Sequence, residues 1–317
     1  MTLQTEHRNP CAVVIGGGVM GSGVAAMFSA AGWPVQVVQP AGEQHASLPE
    51  RVAAAVAQLK AVPVPGALTV HETLAAIDWT DVALLIECAP EDLPLKQQLF
   101  AQLDRLAPAG VPLASNSSSF PISRIGEGCA GLARMLGLHF FMPAHLVPAV
   151  EVIRSEHTDE ALAQRASDIM RAVGKRPVQV KKDVPGFLAN RIQHALMREA
   201  IALVEEGFAS AEDVDAAVRY GFGFRYIAAG PLLQKDLAGI DIHCAAATTM
   251  YPHLRRDTEP SALMRQLVAD GHYGVKSPSR KGFYDWDEAA VARERARYEV
   301  ALQKAMNILV DEESSLA

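Results

Sequence analysis

The sequence contains little that would mark a metal-binding, membrane or secreted protein. Its four cysteines (Cys11, Cys88, Cys129 and Cys244) are scattered through 317 residues without metal-ligand spacing. We therefore expect reduced, mostly buried thiols in a cytosolic protein. The longest uncharged apolar runs, such as residues 82–86, are far too short to span a bilayer. Residues 1–10 are polar and include no apolar signal core. The prediction is a cytoplasmic protein with no metal site and no membrane anchor.

Strong positive charge is also missing. The net charge is -7 and no basic cluster is present, which argues against a nucleic-acid partner. Half of the residues are hydrophobic and 21% are charged, which is ordinary for a globular protein. A chain of 317 residues can form two domains with a substantial core. Internal repeats and low-complexity segments are absent from the sequence, and residues 311–317 are expected to form a loose polar tail.

The N-terminal segment combines a strand, a glycine-rich turn and a helix. Residues 11–15 are apolar and rich in β-branched side chains, which is typical of a buried parallel strand. The next residues, GGGVMG at 16–21, contain G-x-G-x-x-G; a helix is predicted at 22–31 and a second strand at 35–38. Glycines here allow a tight turn and close approach of a pyrophosphate, which the helix N-terminus attracts. A purely structural turn is the alternative, but this setting favours dinucleotide binding.

The end of the second strand leaves the choice of dinucleotide open. An NAD site usually has an acid there, which hydrogen-bonds the ribose hydroxyls. This chain has Gln39, and the nearest acid is Glu43. The nearest arginine is Arg51, so no cation stands next to Gln39 in the sequence to bind a 2′-phosphate. Because a glutamine amide can still hydrogen-bond ribose hydroxyls, we predict NAD, with NADP as the alternative.

Two further strands are predicted in the middle of the chain, at residues 81–87 and 111–115. Glu91 follows the first of them, where an acid at a helix start would suit the helix dipole. The second strand runs into SNSSS at 115–119. Such hydroxyl groups can serve ordinary turn chemistry. However, ligands of an open α/β sheet bind at this end of the strands.

A histidine and a glutamate lie in the next two apolar runs. His139 is part of GLHFFMP at 137–143, Glu151 begins EVI at 151–153, and two prolines between them indicate a loop. A hairpin of these runs would bring the imidazole and the carboxylate side by side, as in a histidine base that an acid orients and charge-balances. A lone histidine in an apolar strand is more often a core residue. The glutamate at this offset favours the base.

Taken in order, these motifs resemble those of the L-3-hydroxyacyl-CoA dehydrogenase family. The resemblance extends from residue 11 to about residue 286 and includes SNSSS, GLHFFMP, EVI, DVPGFLANR at 183–191, Gly230-Pro231, Asp236 and residues 276–284. It implies an α/β protein with a Rossmann-type doubly wound sheet over residues 10–183. An all-helical domain over residues 184–310 would close the substrate cleft and supply the interface of a homodimer.

The resemblance also implies roles for individual residues. His139 would take the hydroxyl proton as hydride leaves for the nicotinamide, and Glu151 would orient His139 and stabilise its protonated form. Ser118 would hydrogen-bond the substrate oxygen, and Asn190 would help to fix the reacting group. The residues expected to bind the cofactor are Gly16, Gly18, Val19, Met20, Gly21, Gln39, Glu91, Lys96, Asn116 and Lys276.

Two departures from the family pattern bear on the substrate. Met142 stands where the family has an asparagine, so an amide contact near the substrate is replaced by a weakly accepting thioether. The segment before residue 81 is shorter than the helical arm of CoA-binding members, with one helix predicted at 50–60 and ended by Pro63 and Pro65. The cations of this segment are Arg51 and Lys60 alone, which are few for a ligand with three phosphate groups.

Arg225 is a candidate substrate residue. It lies in FGFRY at 222–226 and is either a surface arginine or a clamp for a free carboxylate, which its planar guanidinium suits. The sequence thus predicts an NAD-dependent dehydrogenase for a 3-hydroxyacyl-CoA thioester, with a small free 3-hydroxy acid as the alternative substrate. A dinucleotide-binding protein without turnover is the remaining alternative. Intact Ser118, His139 and Glu151 argue against it, because binding alone needs no base.

Overall fold

The protein is described by a computed structural model over residues 10–62 and 67–316. Pro63 and Pro65, predicted to end a helix, and the polar residues before Pro10 lie outside the described residues. The chain folds into two compact units, the first ending at Asn190 and the second beginning at Arg191. The boundary predicted from the sequence lies earlier, after residue 183.

The first unit contains an eight-stranded sheet. The strands are β1 (Cys11–Ile15), β2 (Val35–Val38), β3 (Leu68–His71), β4 (Val82–Glu87), β5 (Leu113–Ser115), β6 (Met135–Phe140), β7 (Ala149–Ile153) and β8 (Arg176–Val180). Their order across the sheet is β3-β2-β1-β4-β5-β6-β7-β8. The first six strands are parallel, while β7 pairs antiparallel with β6 and parallel with β8. From β1 the chain continues to β2 and β3 on one side, and it then crosses from β3 to β4 on the other side of β1. The carboxyl end of β1 is therefore a switch point, where such sheets bind ligands.

Helices cover both faces of the sheet. They are α1 (Val19–Ala30), α2 (Glu43–Ala46), α3 (Leu48–Gln58), α4 (Leu93–Leu106), α5 (Ile122–Ile125) and α6 (Glu160–Ala172). On one face, buried side chains of α1, α3 and α6 such as Phe28, Val52 and Met170 join the apolar core. On the other face, Phe100 of α4 and Ile122 of α5 do so. Each such fully buried side chain contributes about 1.5–3 kcal/mol to folding.

The second unit is helical. Its helices are α7 (Ala189–Glu205), which begins in the first unit, α8 (Ala211–Ala216), α9 (Pro231–Ala238), α10 (Ile240–Met250), α11 (Ala262–Ala269) and α12 (Glu288–Leu316). Gly207 follows the end of α7 with a φ of 74°. Ser210 caps α8, since its Oγ accepts from the N–H of Asp213 at 3.1 Å. The predicted class, a doubly wound α/β sheet followed by a helical domain, is therefore confirmed.

Several predicted boundaries are wrong. Helix α1 begins at Val19 rather than at residue 22, because Gly18 already occupies the N-cap position. Glu91, for which a place at the helix start was one interpretation, lies before α4, which begins at Leu93 with Asp92 as its N-cap. The expected loose tail is helical, since α12 continues to Leu316 through residues that include the good helix formers glutamate and leucine. Within the described ranges, the structure contains no helix long and apolar enough to cross a membrane.

Candidate active site

The glycine-rich turn between β1 and α1 has no room for side chains at two positions. Gly16 has a φ of 93°, and a Cβ there would lie 2.7 Å from the carbonyl oxygen of Cys88. A Cβ on Gly21 would lie 1.8 Å from the carbonyl oxygen of Gly16. A Cβ on Gly18, the N-cap of α1, would meet no atom within 4 Å. A tight turn with open space beside the helix N-terminus fits the pyrophosphate of a dinucleotide.

The side chain of Gln39, just after β2, contacts the same turn. Its Oε1 accepts a hydrogen bond from the N–H of Gly17 at 2.6 Å. Arg51 of α3 donates from Nη2 to the carbonyl oxygen of Gly17 at 2.7 Å. Val19 and Met20, also predicted to bind the cofactor, lie in the first turn of α1, where Val19 is exposed. The structure thus brings Arg51 to the turn that Gln39 contacts, which the spacing in the sequence did not indicate.

Lys96, another predicted cofactor residue, is buried. Its Nζ lies 2.7 Å from Oε1 of Glu87 and 3.4 Å from Oε2 of Glu91. Glu87 is fully buried at the end of β4, and its Oε2 accepts from Oγ of Ser115 at 2.6 Å. The ion pair therefore joins α4 to the end of β4, and the hydrogen bond of Ser115 joins β4 to β5. The ammonium group is already engaged by two carboxylates. Glu87 was not among the residues predicted from the sequence, although a glutamate at the end of a buried apolar strand is unusual.

Glu91 holds the serine-rich segment that follows β5. Its Oε1 accepts hydrogen bonds from the hydroxyls of Ser117 at 2.6 Å and Ser119 at 2.7 Å. The same oxygen accepts from the N–H groups of Ser118 and Ser119, both at 3.1 Å. Burial raises the pKa of the Glu91 carboxyl, but the serine hydroxyls and Lys96 outweigh burial and lower the pKa below its ordinary value of 4.5. An ionised Glu91 thus fixes the loop that carries Ser118.

His139 and Glu151 face each other across the β6–β7 hairpin, as the sequence spacing predicts. Their Nδ1 and Oε2 atoms are 2.7 Å apart, and both side chains are buried. The other carboxylate oxygen of Glu151 accepts from the N–H groups of Leu188 and Ala189, both at 2.9 Å. Burial raises the pKa of the Glu151 carboxyl, but these hydrogen bonds, led by that of His139, outweigh burial and lower the pKa. An ionised carboxylate is the form that accepts a hydrogen bond from a protonated Nδ1.

Ser118 and Asn190 complete this cluster. Oγ of Ser118 lies 3.2 Å from Nε2 of His139, and Nδ2 of Asn190 donates to the carbonyl oxygen of Ser118 at 3.3 Å. Oδ1 of Asn116 accepts from the N–H of Phe140 at 2.9 Å. The four predicted catalytic side chains (Ser118, His139, Glu151 and Asn190) are thus brought together in the first unit, and Asn116 lies at the neighbouring strand.

Two predicted site residues belong to the second unit. Arg225 is exposed in a helical turn between α8 and α9, and Lys276 is exposed at the end of a short turn, Gly274–Lys276. Their roles as carboxylate clamp and cofactor ligand stay predictions. Met142, in the first unit, is the second residue after the end of β6 and is 64% exposed. A thioether rather than an amide is therefore presented next to the hairpin that carries His139.

Two family models match consecutive parts of the chain. The NAD-binding domain of 3-hydroxyacyl-CoA dehydrogenase matches residues 11–184. The C-terminal domain of 3-hydroxyacyl-CoA dehydrogenase matches residues 186–286. Together they cover most of the chain and follow the same order as the two structural units.

Individual relatives differ in what their names say they act on. The 5-formyl-3-hydroxy-2-methylpyridine 4-carboxylate 5-dehydrogenase of Mesorhizobium japonicum is 33% identical over 92% of this chain and 97% of its own length. A crystal structure of an enzyme of that name, described as an NAD+-dependent dismutase, has a TM-score of 0.89 at 28% identity, covering 95% of this chain and 99% of the other. The crystal structure of the (S)-3-hydroxybutyryl-CoA dehydrogenase of Ralstonia eutropha has a TM-score of 0.70 at 27% identity, covering 89% of this chain and 100% of the other.

Proposed function

Because the chain belongs to the 3-hydroxyacyl-CoA dehydrogenase family and is an NAD-dependent dehydrogenase that acts on a hydroxyl group, we propose that its substrate is a small carboxylic acid in free form. The observation that carries this proposal is the TM-score of 0.89 with an enzyme named for a free pyridine carboxylate, against 0.70 with an enzyme named for a CoA thioester. The second candidate is a 3-hydroxyacyl-CoA thioester, the substrate predicted first from the sequence. It is supported by the match of both family models to 3-hydroxyacyl-CoA dehydrogenase.

The proposed mechanism assigns His139 as the base. Glu151 accepts a hydrogen bond from the protonated Nδ1 of His139, which leaves the lone pair of Nε2 on the side of Ser118. There it would take the proton of the substrate hydroxyl, and the ionised Glu151 would stabilise the imidazolium that forms. NAD supplies the hydride acceptor when bound. Ser118 would donate a hydrogen bond to the substrate oxygen, and the amide of Asn190 would hold the Ser118 peptide in place.

The hydroxyl–imidazole–carboxylate series also resembles the triad of a serine hydrolase, but the surrounding donors favour a base rather than a nucleophile. A hydrolase needs backbone N–H groups beside its serine that are free to bind an oxyanion. Here the N–H groups of Ser118 and Ser119 both donate to the carboxylate of Glu91. A negative charge at that position would repel an oxyanion, so acyl transfer at Ser118 is disfavoured.

The proposed cofactor contacts follow from the glycine turn. The N-terminus of α1 with Gly16, Gly18 and Gly21 would hold the pyrophosphate, and Gln39 would lie at the adenosine ribose. Asn116, just after β5, would serve the nicotinamide end. Lys96 would support the cofactor site indirectly, by holding Glu91 in place, since its ammonium group is buried between the carboxylates of Glu87 and Glu91.

The substrate proposal is tested by comparing free acids with a thioester. NADH consumption would be followed with free acetoacetate and with acetoacetyl-CoA, and NADH formation with 5-formyl-3-hydroxy-2-methylpyridine 4-carboxylate. We expect turnover of at least one free acid with a kcat/KM at least about tenfold above that of the thioester. Turnover of the thioester alone would contradict the proposal and favour the second candidate.

Arg225 provides an internal check on the same proposal. If its guanidinium clamps a free carboxylate, Arg225→Gln should raise KM for the free acid about tenfold or more, as loss of a charge-assisted hydrogen bond does. The matched control is Arg219→Gln, another exposed arginine of the second unit. Equal, small effects of the two substitutions would remove Arg225 from the substrate site.

We also infer that the protein works as a homodimer, since few side chains are buried in the described part of the second unit. Among the described side chains of residues 191–312, only Ile201, Ala202 and Ser277 are buried. Large apolar side chains of α9 and α10 are exposed, among them Leu232 at 82% and Leu237 at 76%. Surfaces of this kind are usually covered by a partner. Light scattering should give a dimer that Leu237→Asp disrupts and Leu106→Asp, on α4, does not; a monomeric native protein would contradict this.

A further inference from the structure

The ribose end of the dinucleotide site lacks the negative charge that normally rejects a phosphorylated ribose. An acid at the end of β2 binds both ribose hydroxyls and repels a 2′-phosphate. Gln39 occupies that position, and its Oε1 is held by the N–H of Gly17 at 2.6 Å. The amide NH₂ of Gln39 therefore remains available to a ligand, and this group is a hydrogen-bond donor without charge. Nδ1 of His45 lies 2.8 Å from the carbonyl oxygen of Gln39, so an imidazole ring also lies beside this residue.

A fixed positive charge lies at the same turn. Arg51 donates to Gly17 O at 2.7 Å and to Gln44 O at 2.9 Å, both from Nη2, and from Nε to Oγ of Ser47 at 3.3 Å. All three acceptors are neutral, and within the described parts of the chain no carboxylate forms an ion pair with this guanidinium. The charge of Arg51 is therefore held in position without being neutralised by the protein.

These two observations point to one ligand class. The amide of Gln39 and the guanidinium of Arg51 contact the N–H and the C=O of a single residue, Gly17. An uncharged donor and an unpaired arginine at the ribose end suit a phosphate monoester, for which arginine has matching donor geometry. We propose that the NAD site of this enzyme also accepts NADP, with Gln39 admitting the 2′-phosphate and Arg51 binding it. This inference rests on the dinucleotide site of the proposed function but not on the identity of the substrate.

The test measures dissociation constants of NADH and NADPH by nicotinamide fluorescence, with the full-length protein at low ionic strength. For the native protein we expect the two constants to agree within about tenfold. Gln39→Asp should weaken NADPH at least about tenfold more than NADH, because it restores the repelling carboxylate. Arg51→Gln should also weaken NADPH about tenfold more than NADH, since it removes the charge-assisted contact. Arg171→Gln, an exposed arginine of α6, is the matched control and should change neither constant.

Salt gives a second measurement that needs no variant. Binding of NADPH should weaken more steeply with ionic strength than binding of NADH, because an exposed phosphate–arginine contact is screened. Tight binding of NADH together with binding of NADPH that is more than about a hundredfold weaker would overturn the inference while leaving the dehydrogenase assignment intact. Equal losses of affinity for NADH and NADPH in Arg51→Gln would also overturn the inference, since Arg51 would then only support the turn. Failure of the native protein to bind either cofactor would instead refute the dinucleotide site itself.

Discussion

Glu151 offers the sharpest test of how the proposed base is prepared. One carboxylate oxygen accepts from the N–H groups of Leu188 and Ala189, and the other contacts Nδ1 of His139. In Glu151→Gln the two N–H donors should keep the amide oxygen, which turns the NH₂ group toward His139. Nδ1 would then have to accept, so the ring proton would move to Nε2. The imidazole would present a donor to the substrate in place of the lone pair that a base needs.

The size of the effect follows from these contacts. Loss of one charge-assisted hydrogen bond costs about 1.5–3 kcal/mol. At about 1.4 kcal/mol per tenfold change, this alone lowers the rate roughly 10- to 150-fold. The wrong tautomer removes general base catalysis, which is worth about 10²–10⁴. We therefore expect kcat to fall by about 10²–10⁴ while the dissociation constant of NADH changes less than about twofold.

The assay is steady-state NADH formation together with NADH titration and thermal unfolding of the variant. Thermal unfolding shows whether the variant is folded, so that loss of turnover is not loss of protein. The matched control is Glu156→Gln, a glutamate on the loop after β7 whose side chain is 82% exposed, and it should leave kcat unchanged. A Glu151→Gln enzyme with kcat within about threefold of the native value would refute the reasoning.

Two other predictions concern stability. Lys96→Met should lower the free energy of unfolding by about 3–5 kcal/mol, because it leaves the carboxylate of Glu87 buried and unpaired; denaturant unfolding with a change below about 0.5 kcal/mol would contradict this. Because the pKa of the Glu151 carboxyl is lowered from 4.5 in the folded protein, its contribution to stability should be complete above about pH 4.5 and lost as the pH falls further. Acid unfolding curves of the native protein and Glu151→Gln should thus converge at low pH, and a constant difference between them would disprove the linkage.

Six of the eight strands, among them the β6–β7 hairpin, were predictable because each depends on a short segment whose pattern is local, whereas β3 and β8 were not predicted. The apolar run at β1 followed by Gly16 to Gly21 can hardly form anything but a strand, a tight turn and a helix start. The offset between His139 and Glu151 similarly predicts their pairing, since two strands joined by a short loop align residues at matching distances from it. The helix boundaries were less predictable, because capping by Gly18 and Asp92 depends on backbone angles that composition does not determine.

The supporting parts of the site depend on contacts between distant segments. Arg51 is twelve positions after Gln39, so sequence spacing separated it from the ribose end, whereas α3 returns it to Gly17. Glu87 looked like the end of an ordinary strand, and only its contacts with Lys96 and Ser115 show why a charge is tolerated there. Burial of Lys96 could not be foreseen either, because lysines are rarely buried and the sequence of α4 gives no sign of the carboxylates that Lys96 meets.

If His139 is the base for hydride transfer to NAD, the variant His139→Gln should bind the cofactor but fail to transfer hydride. Nicotinamide absorbance would be followed in a single turnover of a substrate found active with the native protein, alongside titration of the variant with NADH. We expect NADH affinity within about twofold of the native value and a rate of hydride transfer lower by about 10²–10⁴. A variant that binds NADH normally and transfers hydride at the native rate would contradict it.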